Sequence, residues 1–309
     1  MDDMKMDLIS ATDLSLEDIQ RFLALAAKMD EMAPEEKIDL LKGRVLMVMF
    51  YEPSTRTRLS FEAAMVRLGG SVIGFSETGS TSVAKGETLR DTVLTSECYA
   101  DVIVIRHPQE GAARLAAGAA SVPVINAGDG ANQHPTQTLL DLHTIRKNFG
   151  RTSGLKITLA GDLKYGRTVH SLFQALLKFQ GNEFVLVSPP TLRLPEYLLA
   201  EARSMNVKVV ESADLQGALH SSDIVYMTRI QRERFPDALE YEKIKDAFVI
   251  DAAMLEGAPE RLKILHPLPR VNEIAPDVDA TAYAGYFPQV YNGMIMRQAI
   301  LLTLLGVDV

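Results

Sequence analysis

The segment Pro53-Ser54-Thr55-Arg56-Thr57-Arg58 crowds hydroxyls and two guanidinium groups directly behind an apolar run at residues 45–50. An amphipathic helical pattern begins inside it and stops at Gly69-Gly70. The first backbone N–H groups of a helix lack intrahelical partners. With hydroxyls and a planar, permanently charged arginine beside them, they make a site suited to phosphate. The same residues also describe an ordinary helix cap with solvated arginines. So many donors within five positions favour the anion.

Further polar clusters follow other apolar runs. Residues 78–87 form a polar stretch with Thr81, Ser82, Lys85, Gly86 and Glu87, which taken alone reads as a surface loop. Arg106-His107-Pro108 ends a buried run, where the arginine could hold an anion, polarise a carbonyl or simply form a surface ion pair. In Gln133-His134-Pro135-Thr136-Gln137, Pro135 suits a first helical turn, so His134 and Gln137 sit at a helix start. His134 has no nucleophile elbow to serve and reads as a hydrogen-bond donor to a carbonyl. Gly161–Thr168 holds the place of a dinucleotide fingerprint without its glycine spacing, and carries Arg167 instead. Thr228-Arg229-Ile230-Gln231 again sets an arginine behind an apolar run. Two arginines at equivalent places suit a dicarboxylate. His266-Pro267-Leu268-Pro269-Arg270 is a proline-bracketed turn able to offer backbone carbonyls to an amine or amide. Scattered histidines and one cysteine, Cys98, give no metal-ligand spacing, and the sequence calls for no metal and no cofactor.

The elements that must position these groups alternate. Strands are expected at residues 45–50, 71–75, 101–107 and 122–127, with helices at 55–68, 88–100 and 111–119 between them. A second series puts strands at 156–161, 183–188, 207–210, 224–228 and 248–251, and helices at 167–179, 195–205 and 213–220. Helices at 14–28 and 293–305 lie outside the alternation. The fold class is therefore α/β, with two doubly wound parallel-sheet domains divided by the turn-rich stretch 148–154. Ligands in open α/β sheets bind beyond the carboxyl ends of the strands, where these polar clusters fall. The expected divisions are residues 1–150, with a C-terminal helix at about 291–309 packing back on them, and residues 151–290. The active site is expected in the cleft between the two domains.

A net charge of −8 argues against a nucleic-acid partner. No apolar run approaches the ~20 residues that span a bilayer, so no membrane role is expected. An acidic, polar N-terminus and a single cysteine point to a cytoplasmic setting.

Together, and in this order, the clusters resemble the aspartate/ornithine carbamoyltransferase family, and the resemblance runs essentially end to end, through Tyr286-Phe287 and Asn292-Gly293 to Arg297. It implies a carbamoyltransferase with carbamoyl phosphate on the first domain and an amino acid on the second. Ser54, Thr55, Arg56 and Thr57 match the family's phosphate signature. Thr57, Arg106 and His134 would contact the carbonyl oxygen. Gln137 and the carbonyl of Leu268, next to Pro269, would orient the carbamoyl NH2. Arg167, Arg229 and Gln231 would bind L-aspartate's carboxylates. Lys85 would reach a neighbouring subunit's site in a homotrimer. Glu52, Arg167 and Arg234 look like the family's interdomain ion pairs. His-Pro-Leu-Pro-Arg at 266–270, where ornithine enzymes carry a cysteine, and the two arginines favour the aspartate branch. Ala84 departs from members with a second lysine there, and either Thr81 or Ser82 could be the loop hydroxyl. Some members bind a separate zinc-bearing regulatory chain and others do not; the resemblance leaves that partner open.

Overall fold

The structure, a computed structural model, describes residues 5–76, 82–230, 241 and 248–309. It divides into two units, Met1–His143 with Tyr291–Val309, and Thr144–Val290.

The first unit is built on β1 (Val45–Phe50), β2 (Ser71–Phe75), β3 (Val102–His107) and β4 (Val124–Asp129). All pairings are parallel and the order is β2-β1-β3-β4. The two central strands, β1 and β3, read VLMVMF and VIVIRH, which is what a strand covered on both faces requires. Helices α1 (Leu16–Glu31), α2 (Pro34–Lys37), α3 (Thr55–Arg67), α4 (Leu89–Glu97), α5 (Ala112–Ala119) and α6 (Pro135–Phe149) complete the series. Caps define their starts. Ser15 and Asp18 form a reciprocal capping box at α1, and Thr88 accepts the Asp91 N–H at α4. Met47, Met49, Ile103, Ile105 and Val93 make part of this unit's core, each side chain contributing ~1.5–3 kcal/mol by leaving water.

The second unit carries β5 (Lys156–Ala160), β6 (Glu183–Val187), β7 (Val209–Ser212), β8 (Ile224–Met227) and β9 (Lys263–Leu265), in the order β7-β6-β5-β8-β9. These pairings too are all parallel. Its helices are α7 (Arg167–Leu177), α8 (Glu196–Ser204) and α9 (Leu215–Leu219), and α10 (Tyr286–Leu304) closes the chain. Both unit boundaries fall inside long helices, α6 and α10.

One strand expected from sequence is corrected. Residues 248–251 form no sheet strand; Ile250 makes an isolated parallel bridge to Ile274. Its N–H donates to Glu273 O at 3.0 Å and its carbonyl accepts from Ala275 N at 2.8 Å, so its backbone is satisfied outside the sheet. The fifth strand is β9 instead. The last helix also starts earlier than expected, at Tyr286, a fully buried residue of the second unit's core.

Candidate functional site

In the first unit three neighbouring parallel strands, β1, β3 and β4, end at the same edge and deliver the polar clusters there. After β1, Ser54 takes an extended conformation (φ −157°, ψ 93°) as the N-cap of α3, but its side chain makes no capping hydrogen bond. The first turn of α3 contains no acidic residue, so the helix's positive end is uncompensated. Thr55 and Arg56 are exposed and Thr57 is buried. Arg58 is engaged by Glu62 at 2.6 Å along the helix.

Arg106, one residue before the end of β3, lies in register with Phe50 of β1. Its Nε and Nη2 both reach Glu52 Oε1, at 2.7 and 2.6 Å. The family resemblance implies an interdomain ion pair for Glu52; within its own unit it pairs with Arg106. Its carboxylate fixes the plane of the guanidinium beside the start of α3.

After β4, a buried carboxylate organises the approach to α6. Asp129 Oδ1 accepts from Asn126 Nδ2 (2.9 Å) and Gln133 N (3.1 Å), and Oδ2 from Gly111 N (2.9 Å) and Asn132 Nδ2 (3.1 Å). Four donors on one carboxylate fix the turn that presents His134. His134 is buried, its carbonyl accepts the Gln137 N–H at 2.9 Å, and its Nδ1 lies 3.3 Å from Thr136 Oγ1. Gln137 is buried one turn into α6, with its Nε2 donating to Asp141 Oδ1 at 2.9 Å.

The second unit repeats the arrangement with β5, β8 and β9, again adjacent and parallel. Behind β5 the chain passes so close to the end of β8 that only glycine fits. Gly161 has φ +108°, and a Cβ there would lie 2.1 Å from Thr228 O. Thr228 Oγ1 accepts the Asp162 N–H at 3.1 Å, and Asp162 Oδ1 accepts from Lys164 N and Tyr165 N at 3.2 and 2.9 Å. These bonds tie the turn leading to Arg167 to the exit of β8, two residues before Arg229. Both arginines are half-buried. Behind β9, Leu268 and Pro269 are joined by a cis peptide, with Leu268 at φ +54°. Buried His266 holds this turn: Nδ1 accepts the Leu268 N–H at 2.8 Å and Nε2 meets Glu273 Oε1 at 2.7 Å.

Lys85 is exposed at the end of a 3-10 turn, Ser82–Lys85, in the segment between β2 and α4. Gln231, Arg234 and Thr81 lie outside the described residues. Sequence reasoning missed Asp129, Asp141 and Glu273. The only signal was a carboxylate close to a functional residue, at i+4 for Gln137 and i−5 for His134. The groups gathered at the two edges are fixed positive charges and hydrogen-bond donors, with carbonyl acceptors behind β9. Such a set binds anions and stabilises charge developing on oxygen.

Two family models cover the chain almost end to end. Aspartate/ornithine carbamoyltransferase, carbamoyl-P binding domain, matches residues 6–147, and the Asp/Orn binding domain of the same family matches residues 153–304. The aspartate carbamoyltransferase catalytic subunit of Thermococcus kodakarensis is 57% identical over 308 residues, covering 99% of each chain. Among solved structures, the catalytic subunit of M. jannaschii aspartate transcarbamoylase superposes with a TM-score of 0.92 at 51% identity, covering 97% of this chain and 98% of that one. The Trypanosoma cruzi aspartate transcarbamoylase in complex with carbamoyl phosphate and aspartate gives a TM-score of 0.89 at 41% identity, covering 96% of each.

Proposed function

The chain belongs to the aspartate/ornithine carbamoyltransferase family, and from that premise we infer that it transfers the carbamoyl group of carbamoyl phosphate to the α-amine of L-aspartate. The products are N-carbamoyl-L-aspartate and phosphate, an early step of de novo pyrimidine biosynthesis. The observation that carries this reading is that each unit gathers a polar cluster behind adjacent strands. In one, the α3 start follows β1, with Arg106 on β3 and His134 after β4; in the other, two arginines follow adjacent strands.

The amine attacks the carbamoyl carbon, a tetrahedral intermediate forms, and the bond from that carbon to the phosphate oxygen breaks. The departing phosphate takes the proton shed by the amine. Arg106, His134 and Thr57 stabilise the oxyanion, and preorganised donors of this kind need no reorganisation when the charge appears. Ser54, Thr55, Thr57 and Arg56, with the α3 N-terminus, hold the phosphate, and Lys85 helps neutralise it as it leaves. Gln137 and the Leu268 carbonyl, beside Pro269, accept from the carbamoyl NH2. Arg167, Arg229 and Gln231 bind the two carboxylates of aspartate. Carbamoyl phosphate binds first because its groups lie mainly in the first unit. Aspartate then draws the halves together, with Glu52, Arg167 and Arg234 closing the gap.

Lys85 serves a neighbouring subunit in a homotrimer. Exposed Leu59 and Val66, two turns apart on α3, and exposed Ile73 on the edge strand β2 fit a subunit boundary. Where a zinc-bearing regulatory chain binds, it adds control and not chemistry, since every group named here belongs to this chain. A cytoplasmic setting fits an exposed free cysteine, Cys98, and no described helix is long and apolar enough to cross a membrane.

The test is a steady-state assay of the purified chain with carbamoyl phosphate, comparing L-aspartate with L-ornithine and following phosphate release. Turnover with aspartate alone is expected; turnover with ornithine in its place would overturn the assignment.

A further inference from the structure

We propose that Asp141 is a positioning residue that sets which end of the Gln137 amide faces the ligand, so that the site selects a carbamoyl phosphate over an acyl phosphate. The inference rests on the reading of Gln137 as an acceptor for the carbamoyl NH2.

An amide side chain carries a donor end and an acceptor end of nearly equal size, and nothing in its shape decides which faces a ligand. Asp141, one turn further along α6 and fully buried, makes that decision. Its Oδ1 lies 2.9 Å from Gln137 Nε2. A carboxylate oxygen only accepts, so the NH2 end of Gln137 must turn toward Asp141 and the oxygen must turn away. The oxygen that results is what a ligand NH2 needs.

A buried carboxylate keeps its charge only beside an opposite one. Arg297 of α10 is an opposite charge that acts on Asp141. The guanidinium is buried, and burial lowers its pKa to about 10 against the opposing pull of Asp141. Its remaining contacts fix it in place. Nη1 donates to Ser60 Oγ at 3.0 Å, and the guanidinium carbon lies 5.0 Å from the Phe61 ring centre. Gly293 makes room, because a Cβ there would fall 2.8 Å from Nη1. Ser60 and Phe61 belong to α3, whose first turn is the phosphate cluster. The last helix therefore reaches two parts of the site without touching the ligand.

Carbamoyl and acetyl phosphate differ in one group, NH2 against CH3. The acceptors of that NH2, Gln137's oxygen and the Leu268 carbonyl, discriminate between them and the phosphate groups do not. Dissociation constants for both ligands, measured by calorimetry, give a selectivity ratio that general destabilisation leaves unmoved. The double variant Asp141→Leu/Arg297→Met removes the acceptor without orphaning a buried charge. Its preference for carbamoyl over acetyl phosphate is expected to fall by about tenfold, the scale of one lost hydrogen bond, with inorganic phosphate still bound as in the wild type. Should the leucine chain fail to fold, Asp141→Ala in the Arg297→Met background removes the same acceptor without added bulk. In a Gln137→Ala background the further change is expected to have no effect on the ratio, because Asp141 acts through Gln137. If Gln137→Ala collapses the selectivity while the Asp141 variants hold it within about twofold, the positioning role is overturned. A wild type with no preference for the carbamoyl ligand would sink the Gln137 reading itself, and this inference with it.

Discussion

At the scale of single residues, the site depends on how guanidinium groups are held. Arg106 gives two of its nitrogens to one Glu52 oxygen, while its Nη1 makes only a 3.5 Å approach to Ala127 O. That side of the fork is the one left for a ligand. Lysine keeps the charge but not the fixed plane or the second donor. Arg106→Lys is therefore expected to lower kcat by ~10²–10³, the cost of one oxyanion donor. A loss confined to KM in steady-state kinetics would show that Arg106 only binds substrate. Residues of this class were legible in the sequence because a charged group ending an apolar run has no packing explanation. Asp141 and Arg297 gave no such signal. An aspartate and an arginine in helices usually mark solvated faces, and only the packing of α6, α10 and α3 turns these two inward. Asp129 was equally silent, since its meaning lies in a folded turn that brings three nearby donors, and Gly111 N from before β4, onto one carboxylate.

At the scale of elements, the turn behind β9 shows how a backbone carbonyl becomes a fixed ligand group. Leu268 at φ +54° occupies a region that costs a branched residue ~1–2 kcal/mol, so the turn must be held from outside. His266 does this in one tautomer only. Nδ1 accepts the Leu268 N–H, so the ring proton sits on Nε2 and is donated to Glu273. The other oxygen of Glu273 accepts from Val271 N and Asn272 N, both at 3.1 Å. Burial pushes the Glu273 carboxyl up, but the hydrogen bond from His266 and the backbone donors outweigh it and hold the pKa below the ordinary carboxylate value. A depressed pKa stabilises the fold above the unfolded-state value of ~4.3, and that contribution is lost as pH falls through the folded value. Glu273→Gln turns an NH2 toward either the His266 Nε2–H or the two backbone donors and is expected to cost ~1–3 kcal/mol at neutral pH. In thermal unfolding the difference from wild type should shrink below about pH 4. A constant difference down to pH 3 would mean that the carboxylate's charge does not matter. This element was only half legible. The proline-bracketed turn stood out, but β9 is three residues long, too short for a period, and it begins with Lys263. The apolar stretch 248–251 looked more like a strand and is paired elsewhere.

At the scale of the whole molecule, each unit is an open parallel sheet whose polar groups gather behind three adjacent strands, and in the proposed assignment neither unit holds all the groups that the transfer needs. The two-series alternation made that division visible before any coordinates. Assembly was not visible in the same way, because no pattern within one chain states what lies beside it. β2 is an edge strand, its residues are exposed or half-buried, and the chain leaving it leads to exposed Lys85. In the proposed homotrimer such a lysine would serve an adjacent subunit. If each site combines Arg56 of one chain with Lys85 of the next around a ring of three, Lys85→Ala and Arg56→Ala chains are each inactive alone. Dissociated and reassembled together in equal amounts, about three trimers in four contain both kinds of chain, and cyclic symmetry gives each of these one intact site in three. Activity should therefore return to about a quarter of the wild-type value per chain, with wild-type KM for both substrates, because the restored sites carry no substitution. A mixture that exchanges subunits, as native electrophoresis of charge-tagged chains would reveal, and yet stays inactive would place Lys85 and Arg56 in the same chain's site.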